Sequence, residues 1–545
     1  MLPAVLLLLF LAIPRGLFAQ ACPLSCNCFT NQKVFCSEED MNEVPQDIKK
    51  RFTEIVFVAT SISVLRTGSF TNYTGLEKIV FLNNNLVFLE PGAFIGSPNL
   101  TELEITGNPL LSTLNAGVFD DLVDLNKLIV AHNAIQNLSK ALFDDMENLK
   151  VLKLQGNKID SICDGIFDQL KHLNVLSLGL NQITTLPEGL FSHLSKLKIL
   201  HLNENKIASF PANMFLNLTE LTDLALEGNI IKELPTNIFS QLFQLQKLRL
   251  QNNSIVDLPA TVFSSLLNLV FLNLDNNQLE TVPDGLFHAT PNLFKLSLKW
   301  NKLKTVPEGI FSKLFKVKTI VLSNNQITAL PKRTFMGLLA LTKLYLENNR
   351  LTCIDRELLE NLTSLEVLHL SDNHLQTLPE GIFDAHYNLA SVTLHNNPWN
   401  CDCRLDYLLH WLREITDLSQ SSQMQCESPA DLKGKAVLLL DREKLECSSP
   451  ESAADISFSL RWGQATHRFL NSSNLKNTSS IPCTYSSLDE VTFLTCEILT
   501  CHSLKVNFLV QDESEKQGLK YSSVNDWILN SNCTIATVNI TIKYT

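Results

Sequence analysis

The chain has 545 residues, of which 45% are hydrophobic and 18% charged, which is enough for an extensive core and for several domains or one long repeat array. Its 44 Lys and Arg residues are outnumbered by 56 Asp and Glu residues, giving a net charge of −12. This sign disfavours binding to nucleic acid, to heparin or to an anionic membrane, all of which require basic surface. Solubility alone explains the acidic balance, although a basic protein partner is compatible with it.

The N-terminus has the features of a secretory signal peptide. Its apolar run, residues 1–13, is too short to span a bilayer, and Ala19-Gln20-Ala21 further on is a small-residue cleavage signature. Only the amino terminus supplies positive charge before this run. We predict that residues 1–21 are removed. Because no later window holds 18 consecutive apolar residues, we expect the mature chain to be secreted without a membrane anchor.

Four cysteines open the mature chain and predict a disulfide-bonded cap over residues 22–51. Cysteines of an exported chain are expected to pair, and four of them allow three pairings. The end of a repeat array exposes apolar side chains and unpaired strand edges, which such a cap covers. The four residues are Cys22, Cys26, Cys28 and Cys36.

Residues 52–397 repeat the pattern Leu-x-x-Leu-x-Leu-x-x-Asn-x-Leu, the leucine-rich-repeat signature. A degenerate copy, in which Thr60 replaces the Asn, precedes fourteen clear ones. Successive Asn residues are 24 positions apart, except for a step of 25 after Asn108. They are Asn84, Asn108, Asn133, Asn157, Asn181, Asn205, Asn229, Asn253, Asn277, Asn301, Asn325, Asn349, Asn373 and Asn397.

Each copy predicts one coil of a solenoid. In the copy that begins at Leu197, Leu200 and Leu202 alternate along a short strand, and Asn205 follows where the strand ends, in position to bond buried backbone groups. A Phe, such as Phe191, recurs in phase on the opposite side of the coil. Since one coil cannot bury its apolar face, stacking supplies the core. The expected fold class is an α/β-type leucine-rich-repeat solenoid with a parallel β-sheet on its concave face.

Two cysteines, Cys163 and Cys353, lie inside the repeats. Their coils are eight repeats apart, which at about 4.8 Å per strand is too far for a disulfide between them. We predict that both are free, buried thiols, because unpaired cysteine usually behaves as a small hydrophobic residue. A covalent link to a partner is the alternative.

Residues 398–449 predict a second cap. The segment Asn397-Pro-Trp-Asn-Cys-Asp-Cys403 is followed by Leu405, Leu408, Leu409 and Leu412, whose spacing predicts an amphipathic helix. A metal site is an alternative for the cysteines, but the oxidising compartment and the adjoining repeats favour disulfides. The cysteines of this cap are Cys401, Cys403, Cys426 and Cys447.

Residues 450–545 predict a small C-terminal all-β module. Residues 471–480, rich in Ser and Asn, are typical of an exposed linker. Three alternating segments, residues 491–496, 504–510 and 535–543, are typical of strands. Up to two disulfides are expected among Cys483, Cys496, Cys501 and Cys533.

Asn-x-Ser/Thr sequons occur throughout the chain and are candidate glycosylation sites in an exported protein. Attached sugars would add bulk and solubility, and some sequons can remain unused. Asn252 is the weakest candidate, because it adjoins Asn253 of the repeat motif. The sequons begin at Asn72, Asn99, Asn137, Asn217, Asn252, Asn361, Asn471, Asn477, Asn532 and Asn539.

The concave face of a solenoid is its usual recognition surface. Trp300 occupies a position of the repeat that holds Gly or a polar residue in most other copies, and aromatic residues are favoured anchors of interfaces. A solitary exposed Trp can also pack only on its neighbours. The candidate partner-binding residues are Arg249, Asp275, Trp300 and Tyr345.

The sequence offers little for catalysis. It lacks Gly-x-Ser-x-Gly, a phosphate loop and His-Glu-x-x-His. One His-x-x-Glu, from His201 to Glu204, lies in a predicted repeat strand and faces outward, with neither a pocket nor a third metal ligand. We therefore predict that the chain is not an enzyme and holds no catalytic residue, cofactor or metal.

The whole chain resembles the family of non-catalytic large subunits of carboxypeptidase N. The resemblance rests on the cysteine group Cys22–Cys36, the repeats, the segment Gly381–Leu389, the flank Asn397–Cys403 and the final module that contains Cys483-Thr-Tyr-Ser-Ser. Together with the flanks of other extracellular repeat proteins, it implies the disulfides Cys22–Cys28, Cys26–Cys36, Cys401–Cys426 and Cys403–Cys447.

The resemblance also implies a function. Such a chain binds a secreted zinc carboxypeptidase that removes C-terminal Lys or Arg from peptides such as kinins and anaphylatoxins, stabilises it and keeps it circulating in plasma. The complex is expected to be a heterotetramer of two catalytic and two large chains. An extracellular leucine-rich-repeat protein of innate immunity or of the matrix, binding another ligand, is the alternative.

Overall fold

The computed structural model describes residues 22–23, 25–29, 32–46, 48, 51–414, 423–442 and 445, and beyond them the backbone of strands between residues 456 and 543. The predicted signal peptide and two of the sequons, Asn477 and Asn532, lie outside these residues. Cys447, Cys501 and Cys533 lie outside them as well. The chain divides into two compact units, one of residues 1–279 and 283–296, the other of residues 280–282 and 297–545.

The first unit begins with a disulfide-bonded hairpin. Strand β1 (Cys26–Cys28) is antiparallel to β2 (Lys33–Cys36), and β2 in turn lies parallel to β3 (Glu54–Val58) of the first coil. Disulfides join Cys22 to Cys28 and Cys26 to Cys36. The hairpin therefore covers the edge of β3, which would otherwise present unpaired backbone groups.

After the hairpin, each coil of the first unit contributes one short strand to a parallel sheet. Neighbouring strands pair at an offset of one repeat, so that Leu176 lies between Leu152 and Leu200. Leu200 is completely buried, whereas Ile199 and His201 beside it are partly exposed. The strands are β3, β5 (Lys78–Leu82), β7 (Glu102–Thr106), β9 (Lys127–Ala131), β11 (Val151–Lys153), β12 (Val175–Ser177), β13 (Ile199–His201), β14 (Asp223–Ala225), β15 (Lys247–Arg249) and β16 (Phe271–Asn273).

The ladder of Asn residues joins coil to coil. Asn205 Nδ2 donates to the carbonyl of Leu178 in the preceding coil at 3.0 Å and to that of Leu202 in its own coil at 3.1 Å. Its Oδ1 accepts a hydrogen bond from the Ile183 amide at 3.0 Å. Since these backbone groups are buried, the amide satisfies donors and acceptors that a leucine would leave unpaired. The predicted role of the ladder is confirmed.

A stack of Phe rings fills the opposite side of the coils in the first unit. The ring centroids of Phe215 and Phe239, and those of Phe239 and Phe263, are 6.3 Å apart. Paired strands lie only about 4.8 Å apart. The larger spacing of the rings means that the coils fan outward on this side, which makes the sheet concave within the unit.

The return segments between the strands of the described coils form turns rather than α-helices. In the first unit they include four two-residue strands, which form two parallel pairs. The only other regular element in these segments of the described coils is one 3-10 helix, Arg356–Leu358, in the second unit. The short strands are β4 (Val64–Leu65), β6 (Phe88–Leu89), β8 (Thr113–Leu114) and β10 (Asn137–Leu138).

The second unit continues the same architecture. Its strands pair in parallel at the same offset, so that Leu344 lies between Ile320 and Leu368. Its Phe311 and Phe335 rings stack with centroids 5.9 Å apart. The strands are β17 (Lys295–Ser297), which lies at the division between the units, β18 (Thr319–Val321), β19 (Lys343–Tyr345), β20 (Val367–His369) and β21 (Ser391–Thr393).

A cap closes the last coil of the second unit. Trp399 takes the place of the final repeat leucine, is completely buried, and donates its indole N–H to the Leu394 carbonyl at 3.1 Å. Helix α1 (Asp406–Glu414) packs Trp411 on Phe383 of the preceding coil, with ring centroids 4.2 Å apart. The other elements in the described residues of the cap are β22 (Trp399–Asn400), β23 (Cys426–Ser428) and two 3-10 helices (Cys403–Leu405 and Val437–Leu439).

The predicted helix and a disulfide hold this cap in place. Leu405, Leu408, Leu409 and Leu412 are all buried, which confirms the amphipathic pattern. A disulfide joins Cys401 to Cys426, and Cys403 is also disulfide-bonded.

The C-terminal strands form two small sheets, which confirms an all-β module. One sheet has the order β25-β24-β28-β29 and the other the order β26-β27-β30. The three segments predicted from alternation correspond to β27, β28 and β30. The strands are β24 (Ile456–Trp462), β25 (Phe469–Asn471), β26 (Cys483–Leu488), β27 (Val491–Thr500), β28 (Leu504–Asp512), β29 (Trp527–Leu529) and β30 (Thr534–Lys543).

The prediction for the two cysteines inside the repeats was wrong in part. Cys163 is free but exposed, because it occupies the point of the return segment that Pro187 and Pro211 hold in the next coils, and that point faces the surface. Cys353 is buried as predicted, with 7% of its surface exposed, but it is disulfide-bonded rather than free.

Candidate binding surface

The concave face of each unit is formed by four positions of the repeat. Counting the first leucine of a coil as position 1, the strand exposes positions 3 and 5, and positions 7 and 8 follow on the same face. In the coil that begins at Leu197, these residues are Ile199, His201, Asn203 and Glu204, all partly or fully exposed. Side chains at these positions are therefore free to differ from coil to coil without disturbing the core.

Position 8 has a backbone constraint that the sequence pattern did not reveal. In every coil it adopts a left-handed conformation, with φ between 52° and 75°. The cause is visible at Asn252, whose amide turns outward to donate to the Asp275 carbonyl of the next coil at 2.9 Å. Gly, Asn and Asp tolerate this conformation best, which explains why ten of the fifteen coils carry one of them at this position.

Trp300 departs from this rule in the second unit. It has a φ of 57° and leaves 56% of its surface exposed, so neither the backbone nor the core favours an indole at this position. Its amide makes the usual bond to the next coil, to Ser323 O at 3.1 Å, so the fold imposes the strain. The Nζ atom of Lys299 lies 6.0 Å from the ring centroid. A strained, exposed and bulky residue at a variable position is a candidate for a binding role.

Tyr345 and His369 form a second aromatic group in the same unit. Their rings meet edge to face with centroids 4.9 Å apart, and His369 Nδ1 lies 3.9 Å from Glu347 Oε2. Burial lowers the pKa of His369, against the opposing effect of Glu347. The imidazole is therefore held toward its neutral form, and the group presents an aromatic rather than a cationic surface.

The concave face of the first unit is mainly ionic. At its N-terminal end, charge alternates from Lys33 of β2 along position 3 of the first four coils, with neighbouring charges between 2.5 and 3.9 Å apart. The residues at position 3 are Glu54, Lys78, Glu102 and Lys127. Burial tends to raise the pKa of Glu102, but the flanking lysines outweigh it and the pKa is lowered. These charges neutralise one another along the sheet.

A second ionic group lies further along the same unit. Arg249 Nη1 and Nη2 donate to the two carboxylate oxygens of Asp223, and His201 Nε2 lies 4.0 Å from the nearer oxygen. Burial lowers the pKa of His201, and Arg249 lowers it further against the opposing effect of Asp223. Burial also raises the pKa of Glu227, whose Oε2 is buried without a hydrogen-bond partner.

The four predicted partner-binding residues fall into two pairs. Arg249 and Asp275 lie on the first unit, and Trp300 and Tyr345 on the second, all on concave positions. The guanidinium of Arg249 is bound to Asp223, and the Asp275 amide bonds Asn273 Oδ1 at 2.9 Å. The sequence pattern missed the roles of Asp223 and Glu227, although a spacing of 26 residues between Asp223 and Arg249 marks them as neighbours on adjacent strands.

The sequons of the described side chains are all exposed: Asn72, Asn99, Asn137, Asn217, Asn252 and Asn361. Two of them make a bond to the preceding coil through Nδ2, Asn99 to the Thr74 carbonyl at 2.7 Å and Asn217 to the Ser192 carbonyl at 2.8 Å. Glycosylation at these sites remains a prediction. Asn471 and Asn539 lie in strands whose side chains are not described.

His201 and Glu204 lie on the open concave face, as partly and fully exposed residues. Within the described ranges there is no cluster of three or more His, Cys, Asp or Glu residues suited to a metal ion. The same part of the chain contains no helix of the length and apolarity needed to cross a membrane.

A family model described as leucine rich repeat matches most of the chain. It matches residues 53–110, 98–159, 147–207, 171–231, 195–255, 243–303, 291–351 and 339–398. The similarity covers the coils of both units and extends to the start of the C-terminal cap.

The chain is similar to two proteins named carboxypeptidase N subunit 2. It is 41% identical to the human (Homo sapiens) protein over 163 residues, which are 29% of this chain and 29% of that protein. It is 39% identical to the mouse (Mus musculus) protein over 168 residues, or 30% of each chain. The aligned segments thus span less than a third of either relative.

Among solved structures, the chain resembles a protein chain in the crystal structure of a TLR13–ssRNA13 complex. The TM-score is 0.62 at 25% sequence identity, and the alignment covers 73% of this chain and 59% of that one. This likeness supports the solenoid architecture.

Proposed function

The chain belongs to the leucine-rich-repeat family, and from this premise we propose that it is a non-catalytic subunit that binds and stabilises a secreted zinc carboxypeptidase. The proposed enzyme removes C-terminal Lys or Arg from peptides. The observation that carries the proposal is the 41% identity to human carboxypeptidase N subunit 2. The name of that relative describes one subunit of a peptidase, and the solenoid fold offers open faces for such a companion.

The concave face supplies the proposed contacts. Trp300 and Tyr345 on the second unit present aromatic surface, and such residues dominate the binding energy of many interfaces. Arg249 and Asp275 on the first unit are proposed to form polar contacts at a rim, because the pairing of Arg249 with Asp223 already limits its free charge.

Stabilisation follows from mass action. A subunit that binds only the folded enzyme stabilises it by RT ln(1 + [L]/Kd), which is about 2.7 kcal/mol at a hundredfold excess over Kd.

We propose that the complex circulates in plasma as two catalytic and two large chains. Sugars at the exposed sequons would enlarge it further and slow its clearance.

Affinity capture tests the proposal. The tagged full-length chain is secreted from cultured cells, incubated with plasma, captured and washed, and the eluate is assayed with a substrate that ends in Lys. Recovered carboxypeptidase activity, together with a higher inactivation temperature of the purified enzyme when the chain is added, supports the proposal. Capture of other ligands without this activity would instead favour a binding protein of innate immunity or the matrix.

A further inference from the structure

A strip of exposed apolar side chains lies beside the concave face of the first unit, on its flank. Phe243 and Leu267 each lie two residues before the first leucine of a coil, and Val270 and Phe294 each lie directly after one. Their exposed fractions are 43%, 51%, 41% and 47% respectively. We call these four residues the lateral strip. Together they expose on the order of 300 Å² of apolar surface, comparable with the largest patches on monomeric proteins, which are often functional.

Hydrogen bonds link the neighbouring coils that carry the lateral strip, and they involve the strip residues themselves. The Phe294 amide donates to the Val270 carbonyl at 2.8 Å, which makes the two residues direct neighbours. On the other side of the leucines, Asn268 and Asn292 donate through Nδ2 to the carbonyls of Phe243 and Leu267, each at 2.8 Å. Four separate exposed residues would need no explanation, but a bonded row does.

The fold does not require apolar residues at these positions. At the first position, two residues before the first leucine, earlier coils of the same unit include Lys171, Ser195 and Thr219. At the second position, directly after that leucine, they include Asn174, Lys198 and Thr222. On the flank formed by earlier coils there is instead a hydrophilic cavity of about 420 Å³, lined by residues that include Asn99, Asn126 and Lys150. Because an earlier coil also carries an exposed apolar residue, Val123, at the first position, the lateral strip is distinguished by apolar residues at both positions of neighbouring coils.

Its electrostatic surroundings are positive. The segments that carry the strip, residues 240–249, 264–273 and 288–296, contain no Asp or Glu, in a chain whose net charge is −12. Lys247 and Lys295 are exposed at position 3 beside the strip, and Lys295 Nζ lies 5.8 Å from the ring centroid of Phe271. An apolar row edged by cations matches a surface that is apolar at its centre and carries carboxylates at its rim.

The sequence also keeps sugars away from the strip. Asn268 and Asn292 hold the same place in the repeat as Asn99, and all three make the same Nδ2 bond to the preceding coil. Asn99 is followed by Leu and Thr101, which completes a sequon. Val270 and Phe294 stand where that Thr stands, so the strip residues themselves remove the acceptor signal.

We propose that the lateral strip docks an acidic protein surface, and that this surface belongs to the carboxypeptidase chain; this second statement rests on the proposed function. A second copy of this chain is a poorer occupant, because in a two-fold symmetric contact each cation-edged strip would meet another. A strip of this size forms the centre of an interface, around which a stable complex buries roughly 800 Å² on each partner.

A sugar placed within the strip tests the proposal. Val270→Thr completes an acceptor at Asn268 and is conservative for the fold, since Thr222 occupies this position in the coil that begins at Leu221. The double variant Val270→Thr/Asn268→Gln has the same hydroxyl without the sugar. Lys150→Thr completes a matched acceptor at Asn148, whose Nδ2 makes the equivalent bond to the Val123 carbonyl at 3.0 Å, away from the strip.

The glycosylated full-length chains, with sugar occupancy checked by mass, are titrated against the purified peptidase. We expect the sugar at Asn268 to weaken binding at least ~30-fold, as the loss of a central hot spot does. The sugar at Asn148 and the sugar-free double variant should change the affinity less than ~3-fold. A polar variant, Phe243→Thr/Leu267→Ser/Phe294→Asn, keeps Val270 and so has no acceptor at Asn268; it should weaken binding as much as the sugar does.

The outcomes separate this inference from the proposed function. If the wild-type chain does not bind the peptidase, the proposed function fails and the inference fails with it. If the wild-type chain binds but the polar variant binds equally well, only the strip is excluded. Two further results would also overturn the inference: self-association of the wild-type chain, or its flotation with vesicles of anionic phospholipid, in either case abolished in the polar variant. The occupant of the strip would then be a second copy or a membrane.

Discussion

Arg249 forms a bidentate ion pair with the carboxylate of Asp223 on the neighbouring strand, with Nη1–Oδ1 and Nη2–Oδ2 distances of 2.7 and 3.3 Å. The side chains are only 27% and 16% exposed, so the pair is partly shielded from water. Removing one partner would leave the other charge half-buried without compensation. The pair therefore fixes two strands of the concave face and reduces the charge that a binding partner meets there.

A double-mutant cycle measures this coupling. We expect Asp223→Ala to lower the free energy of unfolding by about 1–3 kcal/mol, because it leaves a partly buried guanidinium unpaired. Arg249→Met should cost less, and the double variant should cost less than the sum of the single ones. Urea denaturation of all four proteins checks this, and strictly additive losses would show that the pair contributes nothing as a unit.

Glu227→Gln is expected to stabilise the protein at neutral pH. Burial raises the pKa of Glu227 in the fold, and its Oε2 has no partner, so ionisation at pH 7 costs stability. Because the folded pKa lies above the unfolded value, this cost is absent below the unfolded pKa and grows as the pH rises through the folded one. Melting temperatures should therefore differ at pH 7.4 and converge near pH 4, whereas a constant gain would point to packing.

We expect His201 to lower the stability of the folded protein as the pH falls. Burial lowers its pKa in the folded state, so the unfolded chain binds a proton first as the pH falls below the unfolded value of about 6.5. His201→Gln should remove this contribution, and the variant should lose less stability than the wild type between pH 7 and pH 5. Parallel curves of melting temperature against pH for the two proteins would contradict the assignment.

Trp300→Asn is expected to improve stability and impair binding. Asn tolerates the left-handed backbone at position 8 better than Trp, and the gain should be up to about 1 kcal/mol. On the proposed function, affinity for the peptidase should fall because the exposed indole is lost. Leu180→Asn, at the same position in the first unit with a φ of 55°, controls for relief of strain. A stabilised variant with undiminished affinity would remove Trp300 from the interface.

Cys163 is expected to react under native conditions. It is free and exposed, whereas Cys353 is buried and disulfide-bonded. Iodoacetamide added to the folded protein should alkylate Cys163 without prior reduction and leave Cys353 unmodified, as peptide mass mapping would detect. Cys163→Ser supplies the control, and modification of Cys353 in the unreduced protein would contradict the structure.

The sequence by itself determined the coil and its core. A period of 24 residues places every Leu and Asn of the motif at the same point of each coil, and only stacked coils bury all of these side chains. The inward residues, the Asn ladder and the capping helix followed from this pattern, because each depends on local spacing. The contact between Asp223 and Arg249 could also have been predicted from the sequence, since residues about one period apart lie side by side on adjacent strands.

Only the tertiary structure decided what the surface positions do. The left-handed backbone at position 8 arises from a hydrogen bond to the next coil, so the strain at Trp300 cannot be deduced from one repeat. Likewise, the spacing of Phe243, Leu267, Val270 and Phe294 does not tell whether they are buried, because apolar residues recur on the inside of every coil as well. Their exposure depends on how the chain returns between strands, which the folded backbone fixes and the repeat motif leaves open.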